Sequence, residues 1–262
     1  MISNPVSNVA TSLHFFSASR SHSGRRRALN EDRVLDNSAD GLWVVADGMG
    51  GLAAGEVAAM RLVEALGEAE QGLNSYARLN DLIGRVDKVN AALFEDQVSI
   101  GKPPSGATVV ILLAQDGHYA CLWAGDSRAY LARDGRLSLI THDHSLVQEL
   151  IDAGALAEGQ RQSHPNAHVV TRAVGVAPLV ELDRRFAPLR AGDLFLLCSD
   201  GLNACIDDGE IAAALRDFEL DEAADWLLAT ALDRGAPDNV SFVLARAEES
   251  PARLRWHPPT LV

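Results

Sequence analysis

Three aspartates stand at the borders of apolar runs, where a buried strand would meet a loop. Asp47 ends the run at residues 42–46, Asp200 follows the run at 194–199, and Asp238 comes just before the run at 240–247. Carboxylates in such positions act as ligands of divalent cations or as general acids and bases. Because strands of an antiparallel sheet run in opposite directions, the start of one can lie beside the ends of its neighbours. The three carboxylates can therefore meet at one edge of a sheet.

The dipeptide Asp-Gly alone says little, because it also forms ordinary turns. Asp116 and Asp134 lie between pairs of strand-like runs, so we predict that each begins a hairpin turn. Asp47 and Asp200 instead end apolar runs and lead into glycine-rich or helix-like sequence, which makes these two the candidates for chemistry. The chain has six such pairs, which begin at Asp40, Asp47, Asp116, Asp134, Asp200 and Asp208.

The glycines after Asp47 allow two interpretations. Gly48, Gly50 and Ala53 match the spacing of a dinucleotide-binding fingerprint between a strand and a helix. Asp47 would then direct a negative charge towards the pyrophosphate, and this pairing is repulsive without a cation. With a cation, Asp47 becomes a metal ligand, and the glycines leave space for metal, water and a substrate phosphate. We favour the second interpretation.

If Asp47, Asp200 and Asp238 converge, their mutual repulsion needs a counter-charge. Two carboxylates about 5 Å apart repel by roughly 3 kcal/mol at an effective dielectric constant near 20. Oxygen ligands without cysteine or clustered histidine favour Mg²⁺ or Mn²⁺ over Zn²⁺. Two such ions bridged by one carboxylate can lower the pKa of a shared water, and an arginine can bind phosphoryl oxygens. This set predicts metal-assisted hydrolysis of a phosphomonoester.

An arginine-rich segment lies near the start of the chain. Five arginines occur between residues 20 and 33, in a chain that is otherwise acidic, and Glu31 and Asp32 stand among them. Carboxylates beside an arginine suit a site that holds cations and an anion together. For Arg25 and Arg26 we prefer a solvated surface.

The elements that position these residues follow from the spacing of apolar side chains. Helical spacing predicts helices over about 53–70, 79–97, 145–153 and 221–232, and one more from near Asp208. A first strand is predicted at 13–17. Between 107 and 141 the chain has four strand-like runs, which we interpret as an antiparallel meander. This arrangement counts against the parallel dinucleotide-binding fold.

Three features in the middle of the chain have open interpretations. The charged interruption at residues 125–128 is either a bulge with a structural ion pair or part of a site. His142 and His144 are two residues apart, as a zinc pair can be, but no cysteine or third histidine stands at a familiar spacing. Residues 159–167 form a polar loop, which we predict to be a mobile segment that faces the substrate.

The composition limits the class of protein. With 262 residues and 47% hydrophobic content, the chain can bury a large core and fits one domain. The net charge of −13 argues against nucleic acid or an anionic membrane as a partner. Three cysteines without a CxxC pair favour a reducing compartment, and no apolar run has the length of a membrane span, so we expect a cytoplasmic protein. We also expect a monomer. Residues 1–30 also have the composition of an organellar transit peptide, which we rank below a structural role.

Taken in order, the motifs of this chain resemble those of the protein phosphatase 2C family, also called PPM, the metal-dependent Ser/Thr protein phosphatases. The resemblance runs from about Leu13 to Ala247, and the form of the motif around Asp47 looks like the bacterial branch. Each motif alone is modest, whereas the ordered set is a strong signal. The motifs are Gly24-x-x-Arg27-x-x-Asn30-Glu31-Asp32, Val45-Ala46-Asp47-Gly48-Met49-Gly50-Gly51, Gly106-Ala107-Thr108, Gly125-Asp126-Ser127-Arg128, His144-Ser145, His164-Pro165, Thr171-Arg172-Ala173-x-Gly175, Ser199-Asp200-Gly201 and Pro237-Asp238-Asn239-Val240-Ser241.

The resemblance implies an α+β fold. Its centre is a β-sandwich of two antiparallel sheets flanked by helices on both sides, in four layers (α-β-β-α), with the metals at one end. It implies a single metal-dependent phosphatase domain at residues 12–248, with a variable flap at about 145–170. A flexible N-terminal tail at 1–11 and a C-terminal tail at 249–262 would flank this domain.

The resemblance also assigns metal ligands by matching position. Asp47 would bridge two metal ions, Mn²⁺ or Mg²⁺, and the Gly48 carbonyl would reach the second ion. Asp200 and Asp238 would hold the first ion. Asp126 would serve a weaker third metal, which gives the charged interruption a place in the site.

The remaining matches concern the substrate and water. Arg27 would bind the substrate phosphate, while Glu31 and Asp32 would act through metal-bound water, so Arg27, Asp32 and Asp47 would be the catalytic residues. One departure leaves a role open. Many eukaryotic relatives have a histidine, assigned as general acid, directly after the Asp-Gly pair, and Met49 stands there in this chain.

We predict a bacterial-type phosphoprotein phosphatase that acts on phosphoserine and phosphothreonine and opposes a Ser/Thr kinase. The alternative is a catalytically silent relative that binds a phosphoprotein or another partner. Retention of Arg27, Asp47, Asp200 and Asp238 argues against a silent binder, which need not keep every ligand.

Overall fold

The computed structural model describes residues 13–50, 54–100 and 105–249. The predicted N-terminal tail at 1–11 lies outside these ranges, as does the predicted C-terminal tail apart from Glu249. The strands in the described ranges are β1 (Leu13–His22), β2 (Asp32–Asn37), β3 (Leu42–Met49), β4 (Gly106–Ala107), β5 (Val109–Gln115), β6 (His118–Ala124), β7 (Arg128–Arg133), β8 (Arg136–Leu139), β9 (Asp183–Pro188), β10 (Leu194–Cys198) and β11 (Val240–Glu249). The helices there are α1 (Ala54–Gly67), α2 (Ser75–Ile100), α3 (Leu146–Asp152), α4 (Asp200–Asn203), α5 (Asp208–Asp217) and α6 (Leu220–Asp233).

The strands form two antiparallel sheets. Sheet A has the order β1-β11-β10-β7-β8, and sheet B has the order β2-β3-β5-β6-β9, with β4 paired to β3. The two sheets face each other across an apolar layer that includes Trp43, Val110, Phe195 and Val243. The molecule is therefore a β-sandwich, as predicted.

Helices cover both outer faces of the sandwich. Leu62 of α1 and Leu82 of α2 pack with the outer side of sheet B. Ile211 of α5 and Leu227 of α6 pack with the outer side of sheet A. Because both faces of each sheet are covered, a central strand such as β3 is apolar at nearly every position. The arrangement agrees with the predicted α+β fold in four layers.

The predicted meander between residues 107 and 141 is wrong in one respect. Asp116 and Asp134 do form tight hairpin turns, with positive φ angles of 51° and 53°. These turns join β5 to β6 and β7 to β8, but β6 lies in sheet B and β7 in sheet A. The chain crosses between the sheets at residues 125–127, where Gly125 has a φ of 117° that other residues rarely adopt. The four runs are therefore two hairpins in different sheets.

The predicted helices are present, with shifted ends. Helix α2 begins at Ser75 and is longer than predicted, whereas the helix predicted over 145–153 is α3 with Ser145 as its N-cap. Two strands were not predicted, β2 and β9, which form the two edges of sheet B. No helix in the part of the chain that the structure describes is both long and apolar enough to cross a membrane.

Candidate active site

Sheet B provides the first half of an acid cluster. The register of β2 and β3 places Asp32 directly opposite Asp47. Thr108 holds the backbone of Asp47, because its N–H donates to the Asp47 carbonyl at 2.9 Å and its Oγ1 accepts from the Asp47 N–H at 3.3 Å. Thr108 Oγ1 also shares a hydrogen bond of 2.7 Å with Ser127 Oγ. Asp47 therefore has a defined position at the end of β3.

The residue after Asp47 must be glycine because helix α1 begins against it. A Cβ on Gly48 would lie 2.2 Å from the carbonyl oxygen of Gly55 and 2.7 Å from that of Glu31, closer than side chains come in proteins. We predicted that the glycines after Asp47 leave space for a ligand. At Gly48 the structure shows that the space is needed by the chain itself.

Sheet A provides the second half of the cluster. Asp200 begins helix α4 directly after β10, and Asp238 lies just before β11, which pairs antiparallel with β10. Gly201 allows the two segments to touch, since a Cβ there would lie 1.9 Å from the carbonyl oxygen of Asn239. The opposite strand directions thus bring Asp200 and Asp238 together, as the sequence suggested.

The Asn239 side chain fastens the segment that carries Arg27. Its Oδ1 accepts from the backbone N–H of Glu31 at 2.8 Å. Its Nδ2 donates to the carbonyl oxygens of Ser23 and Leu29 at 3.0 and 2.9 Å. Three hydrogen bonds from one buried amide therefore hold this segment beside the start of β11.

Arg27 lies at the mouth of the site. Its Nη2 donates to Asp238 Oδ2 at 2.7 Å, and its side chain is 53% exposed. The predicted phosphate-binding arginine thus contacts a predicted metal ligand. Arg25 and Arg26 are exposed, in agreement with their interpretation as a solvated surface.

Asp126 comes from the crossing between the sheets. The neighbouring Gly125 is held on both sides of its backbone by His144: the Gly125 N–H donates to His144 Nδ1 at 3.1 Å, and the His144 N–H donates to the Gly125 carbonyl at 2.9 Å. Arg128, two residues after Asp126, donates to both carboxylate oxygens of the buried Asp143. The charged interruption is therefore both a structural ion pair and a neighbour of the acid cluster.

One cavity of about 430 Å³ collects these groups. Asp32 does not line it; this carboxylate is 1% exposed and accepts a hydrogen bond of 2.8 Å from Ser199 Oγ behind the cavity wall. The predicted site residues that line the cavity are Arg27, Glu31, Asp47, Gly48, Asp126, Asp200 and Asp238.

Burial and mutual repulsion raise the pKa values of Asp32, Asp47, Asp126 and Asp200. Burial is the main cause at Asp47, where the pKa rises well above its ordinary value and the charges of Asp32 and Asp200 add to the effect. Burial raises the pKa of Asp32 to about 7, against the hydrogen bonds it accepts, and that of Asp126 to about 8. It also raises the pKa of Asp200. The cluster therefore holds protons near neutral pH unless positive charge is supplied.

The donor set fits a hard divalent cation. Asp32 Oδ1 and Glu31 Oε1 are buried and have no hydrogen-bond partner. Within the described ranges, no three acidic, histidine or cysteine side chains stand close enough to enclose one metal ion by themselves. Carboxylate and carbonyl oxygens are the ligands that Mg²⁺ and Mn²⁺ prefer in proteins.

The histidine pair does not point to zinc. His142 Nε2 lies 2.7 Å from Asp152 Oδ2, and His144 Nε2 lies 3.3 Å from Asp183 Oδ2. The two side chains thus face different carboxylates. His144 is buried, and this burial lowers its pKa.

Residues of the segment between 145 and 170, the predicted flap, line one side of the site. Ser145 and Val170 form an isolated antiparallel bridge at its base. Arg161 Nη1 reaches back to Asp143 Oδ2 at 3.3 Å and so joins the ion pair beneath. Next to the acid cluster, a second cavity of about 310 Å³ lies under this segment.

Sequence reasoning missed the residues that hold the ligands in place. Thr108, His144, Ser199 and Asn239 all belong to motifs of the family resemblance, but the resemblance assigns none of them a role in the site. His144, Ser199 and Asn239 each stand directly beside an aspartate, which was an available signal, whereas Thr108 has only apolar neighbours in the chain.

The fold and the site together define an α+β sandwich protein that carries, at one end, a cluster of carboxylates suited to divalent cations. The family model described as Protein phosphatase 2C matches residues 19–245. The chain therefore belongs to the protein phosphatase 2C family.

Relatives with known names and structures agree with this family. The serine/threonine protein phosphatase PstP of Mycobacterium tuberculosis is 38% identical over 231 residues, which are 87% of this chain and 44% of that protein. The chain thus spans less than half the length of this relative. A structure described as PppA, a key regulatory component of T6SS in Pseudomonas aeruginosa, superposes with a TM-score of 0.84 at 41% identity, covering 90% of this chain and 99% of that one. The PstP catalytic domain in complex with two manganese ions superposes with a TM-score of 0.82 at 36% identity, covering 91% of this chain and 100% of that one.

Proposed function

We propose that the protein is a Mn²⁺- or Mg²⁺-dependent protein-serine/threonine phosphatase that hydrolyses phosphoserine and phosphothreonine monoesters. One observation carries the proposal. Asp47 from sheet B and Asp200 and Asp238 from sheet A line a single cavity, with Arg27 at its mouth. The names of the related phosphatases and the manganese-bound PstP domain support it.

The acid cluster would hold the cations. Asp47, with the carbonyl oxygen of Gly48, would contact two ions, and Asp200 and Asp238 would contact the first of them. Asp126 would serve a third, weaker site. When bound, the ions neutralise the cluster and lower the pKa of the attacking water. Support comes from the raised pKa values of Asp47 and Asp200, which burial and, after it, repulsion from neighbouring carboxylates cause, because a divalent cation stabilises the charged carboxylates against both effects.

Residues around the cluster would bind and orient the substrate. Arg27 carries a planar guanidinium that can donate two parallel hydrogen bonds to phosphoryl oxygens. Its present partner, Asp238, is one of the proposed ligands, so cation binding would free the guanidinium for the phosphate. Glu31 lines the cavity, and its unpartnered Oε1 can accept a hydrogen bond from water in the site, whereas Asp32, whose Oδ1 is also unpartnered, does not line the cavity.

The proposed function also includes the limits of the domain, its oligomeric state and its cellular location. We propose one phosphatase domain over residues 12–248 with a flap at about 145–170, acting as a monomer against a Ser/Thr kinase. The regulatory description of PppA supports a signalling role. All three cysteines are free, which is usual for proteins of a reducing compartment and supports a cytoplasmic location.

The test is hydrolysis of p-nitrophenyl phosphate and of a phosphothreonine peptide by the purified protein. We expect turnover with Mn²⁺ or Mg²⁺, none with EDTA, and a loss of at least ~100-fold in Asp200→Asn, since even outer partners of metal ligands are worth 10- to 100-fold. Asp134→Asn is the matched control, because Asp134 also precedes a glycine but lies in the exposed β7–β8 turn.

The control must keep full activity, and both variants must keep the wild-type circular dichroism spectrum. A folded wild-type protein that binds the phosphopeptide but hydrolyses neither substrate with any metal would overturn the proposal. That result would favour a catalytically silent relative.

A further inference from the structure

The proposed reaction needs a proton for its leaving group. When the phosphorus–oxygen bond of a phosphothreonine breaks, the electron pair goes to the side-chain oxygen, and an alkoxide is a poor leaving group without a proton. Met49 occupies the position after Asp47-Gly48 and lines the cavity, but a thioether has no proton to give. The donor must therefore come from elsewhere in the site.

His168 is in the right place. It lines the main cavity together with Asp126 and Asp200, and it also lines the adjoining cavity of about 310 Å³. Of the described residues that line these two cavities, His168 is the sole histidine. Imidazole is the side chain most often used as a general acid in enzymes.

The backbone around His168 is fixed from both sides. The Val169 N–H donates to the Asn166 carbonyl at 3.2 Å, and the Val169 carbonyl accepts from the Leu146 N–H at 2.9 Å. One residue further on, Val170 forms the bridge to Ser145. The imidazole itself is exposed at the cavity rim. A rigid backbone with an accessible ring is suited to a group that must meet a large substrate.

The rim is also where the leaving oxygen would lie. Asp47 and Asp200 line the cavity as partly buried residues, whereas His168 lines it from the segment between residues 145 and 170 and is exposed. In phosphoryl transfer the attacking and leaving oxygens are roughly in line with phosphorus. If the attacking water is beside these aspartates, the leaving oxygen points to the mouth of the cavity. The peptide must leave by that route.

We propose that His168 is the general acid of this phosphatase, an inference that rests on the proposed function. The water oxygen forms a bond to phosphorus, the bond from phosphorus to the seryl or threonyl oxygen breaks, and the ring N–H of His168 gives its proton to that oxygen. The proton lost by the attacking water passes to solvent, and solvent reprotonates the ring. The products are the free alcohol and inorganic phosphate.

Other histidines nearby do not meet these requirements. His144 is buried and accepts a hydrogen bond from Gly125, and His142 is paired with Asp152. His164 is in the same segment as His168 but does not line either cavity, and its Nδ1 accepts from the Asn166 N–H at 3.2 Å. His164 is therefore the matched control.

The test compares leaving groups that differ in their need for a proton. In His168→Gln we expect kcat on a phosphothreonine peptide to fall by about 100-fold, the lower end of the usual contribution of a general acid. With p-nitrophenyl phosphate, whose leaving group is stable as an anion, we expect less than about a threefold change. His164→Gln should match the wild type on both substrates.

A readout without turnover comes from histidine-labelled protein. Inorganic phosphate added to the Mg²⁺-loaded protein should shift the NMR signal of the His168 ring, identified by its absence in His168→Gln, and not that of His164. The charged groups around His168 in the two cavities are Arg27, Glu31, Asp47, Asp126, Arg128, Asp143, Arg161, Asp200 and Asp238.

The possible failures are distinct. Suppose that the wild type hydrolyses both substrates. If His168→Gln then slows hydrolysis of the two substrates equally, or slows neither, the role of His168 is overturned while the proposed phosphatase activity stands. A His168 ring signal that does not shift when phosphate is added would likewise overturn the role of His168 and leave the proposed phosphatase activity intact. A wild type without turnover on either substrate overturns both proposals.

Discussion

The metal-free protein should lose stability as the pH rises from 5 to 7. Burial raises the pKa of Asp32 from its ordinary 3.8 to about 7 in the folded state. Between these values the folded state keeps a proton that the unfolded chain has lost, so stability falls as pH increases. The stability that this proton contributes is fully present below the ordinary pKa of 3.8 and is lost as the pH rises through the folded pKa of about 7. This direction is opposite to that of a carboxylate in a salt bridge.

The size of the effect follows from the same pKa. One proton held on folding is worth about 1.4 kcal/mol per pH unit, and the dependence flattens close to the folded pKa. Between pH 5 and 7, Asp32 alone therefore accounts for roughly 2 kcal/mol. In a domain of this size that corresponds to a fall in Tm of roughly 4–8 °C.

The assay is urea unfolding of EDTA-treated protein at pH 5, 6 and 7. In Asp32→Asn, which is neutral at all three pH values and can still accept from Ser199 Oγ, roughly 2 kcal/mol of this dependence should be absent. The exposed Asp134→Asn should leave the dependence unchanged. Mn²⁺ should stabilise the wild type more at pH 7 than at pH 5, because metal binding must release the protons.

Two results would refute this reasoning. One is a wild-type stability that rises between pH 5 and 7 without metal. The other is an Asp32→Asn protein with the same dependence as the wild type, which would mean that Asp32 is already ionised in the folded state.

Further predictions concern the residues that bring the two halves of the site together. Gly201→Ala should lower the free energy of unfolding by at least ~2 kcal/mol and weaken Mn²⁺ binding in calorimetry, because its Cβ would meet the Asn239 carbonyl at 1.9 Å. Gly84→Ala, in helix α2 with no atom within 4 Å, should instead stabilise by about 0.5–1 kcal/mol; an equal loss in both variants would contradict the packing argument. Asn239→Ala should remove the three hydrogen bonds that hold the Arg27 segment, cost about 1–3 kcal/mol in urea unfolding and raise KM for the phosphopeptide; an unchanged KM would mean that this segment needs no anchor.

The sequence was most informative where an apolar run ended in an aspartate. The runs before Asp47 and Asp200 are buried strands, and strand direction alone allowed Asp238 to join them. The edge strand β9 was missed because its residues are mostly exposed and polar, so it has no apolar pattern. The crossing at Gly125 was missed because a short break between two strands looks the same whether the chain turns back or changes sheet.

Other features depend on contacts that no local pattern contains. Asn239 binds the carbonyl of Ser23, 216 residues away in the chain. The need for glycine at Gly48 likewise comes from Gly55, whose position is known only when α1 is packed on sheet B. Family motifs identify such residues without giving their physical purpose.

The acid cluster is divided between the two sheets, so the site lies where the ends of the sheets meet. Asp32 and Asp47 belong to one sheet, and Asp200 and Asp238 flank strands of the other, so the apolar layer between the sheets sets the distance across which the proposed ions would be held. Changing the thickness of that layer, for example at Val110 or Leu197, would change ion affinity without touching a ligand. Bound ions would in turn clamp the sheets at this end. The packing of the core would therefore determine the geometry of the proposed metal site as well as the stability of the fold.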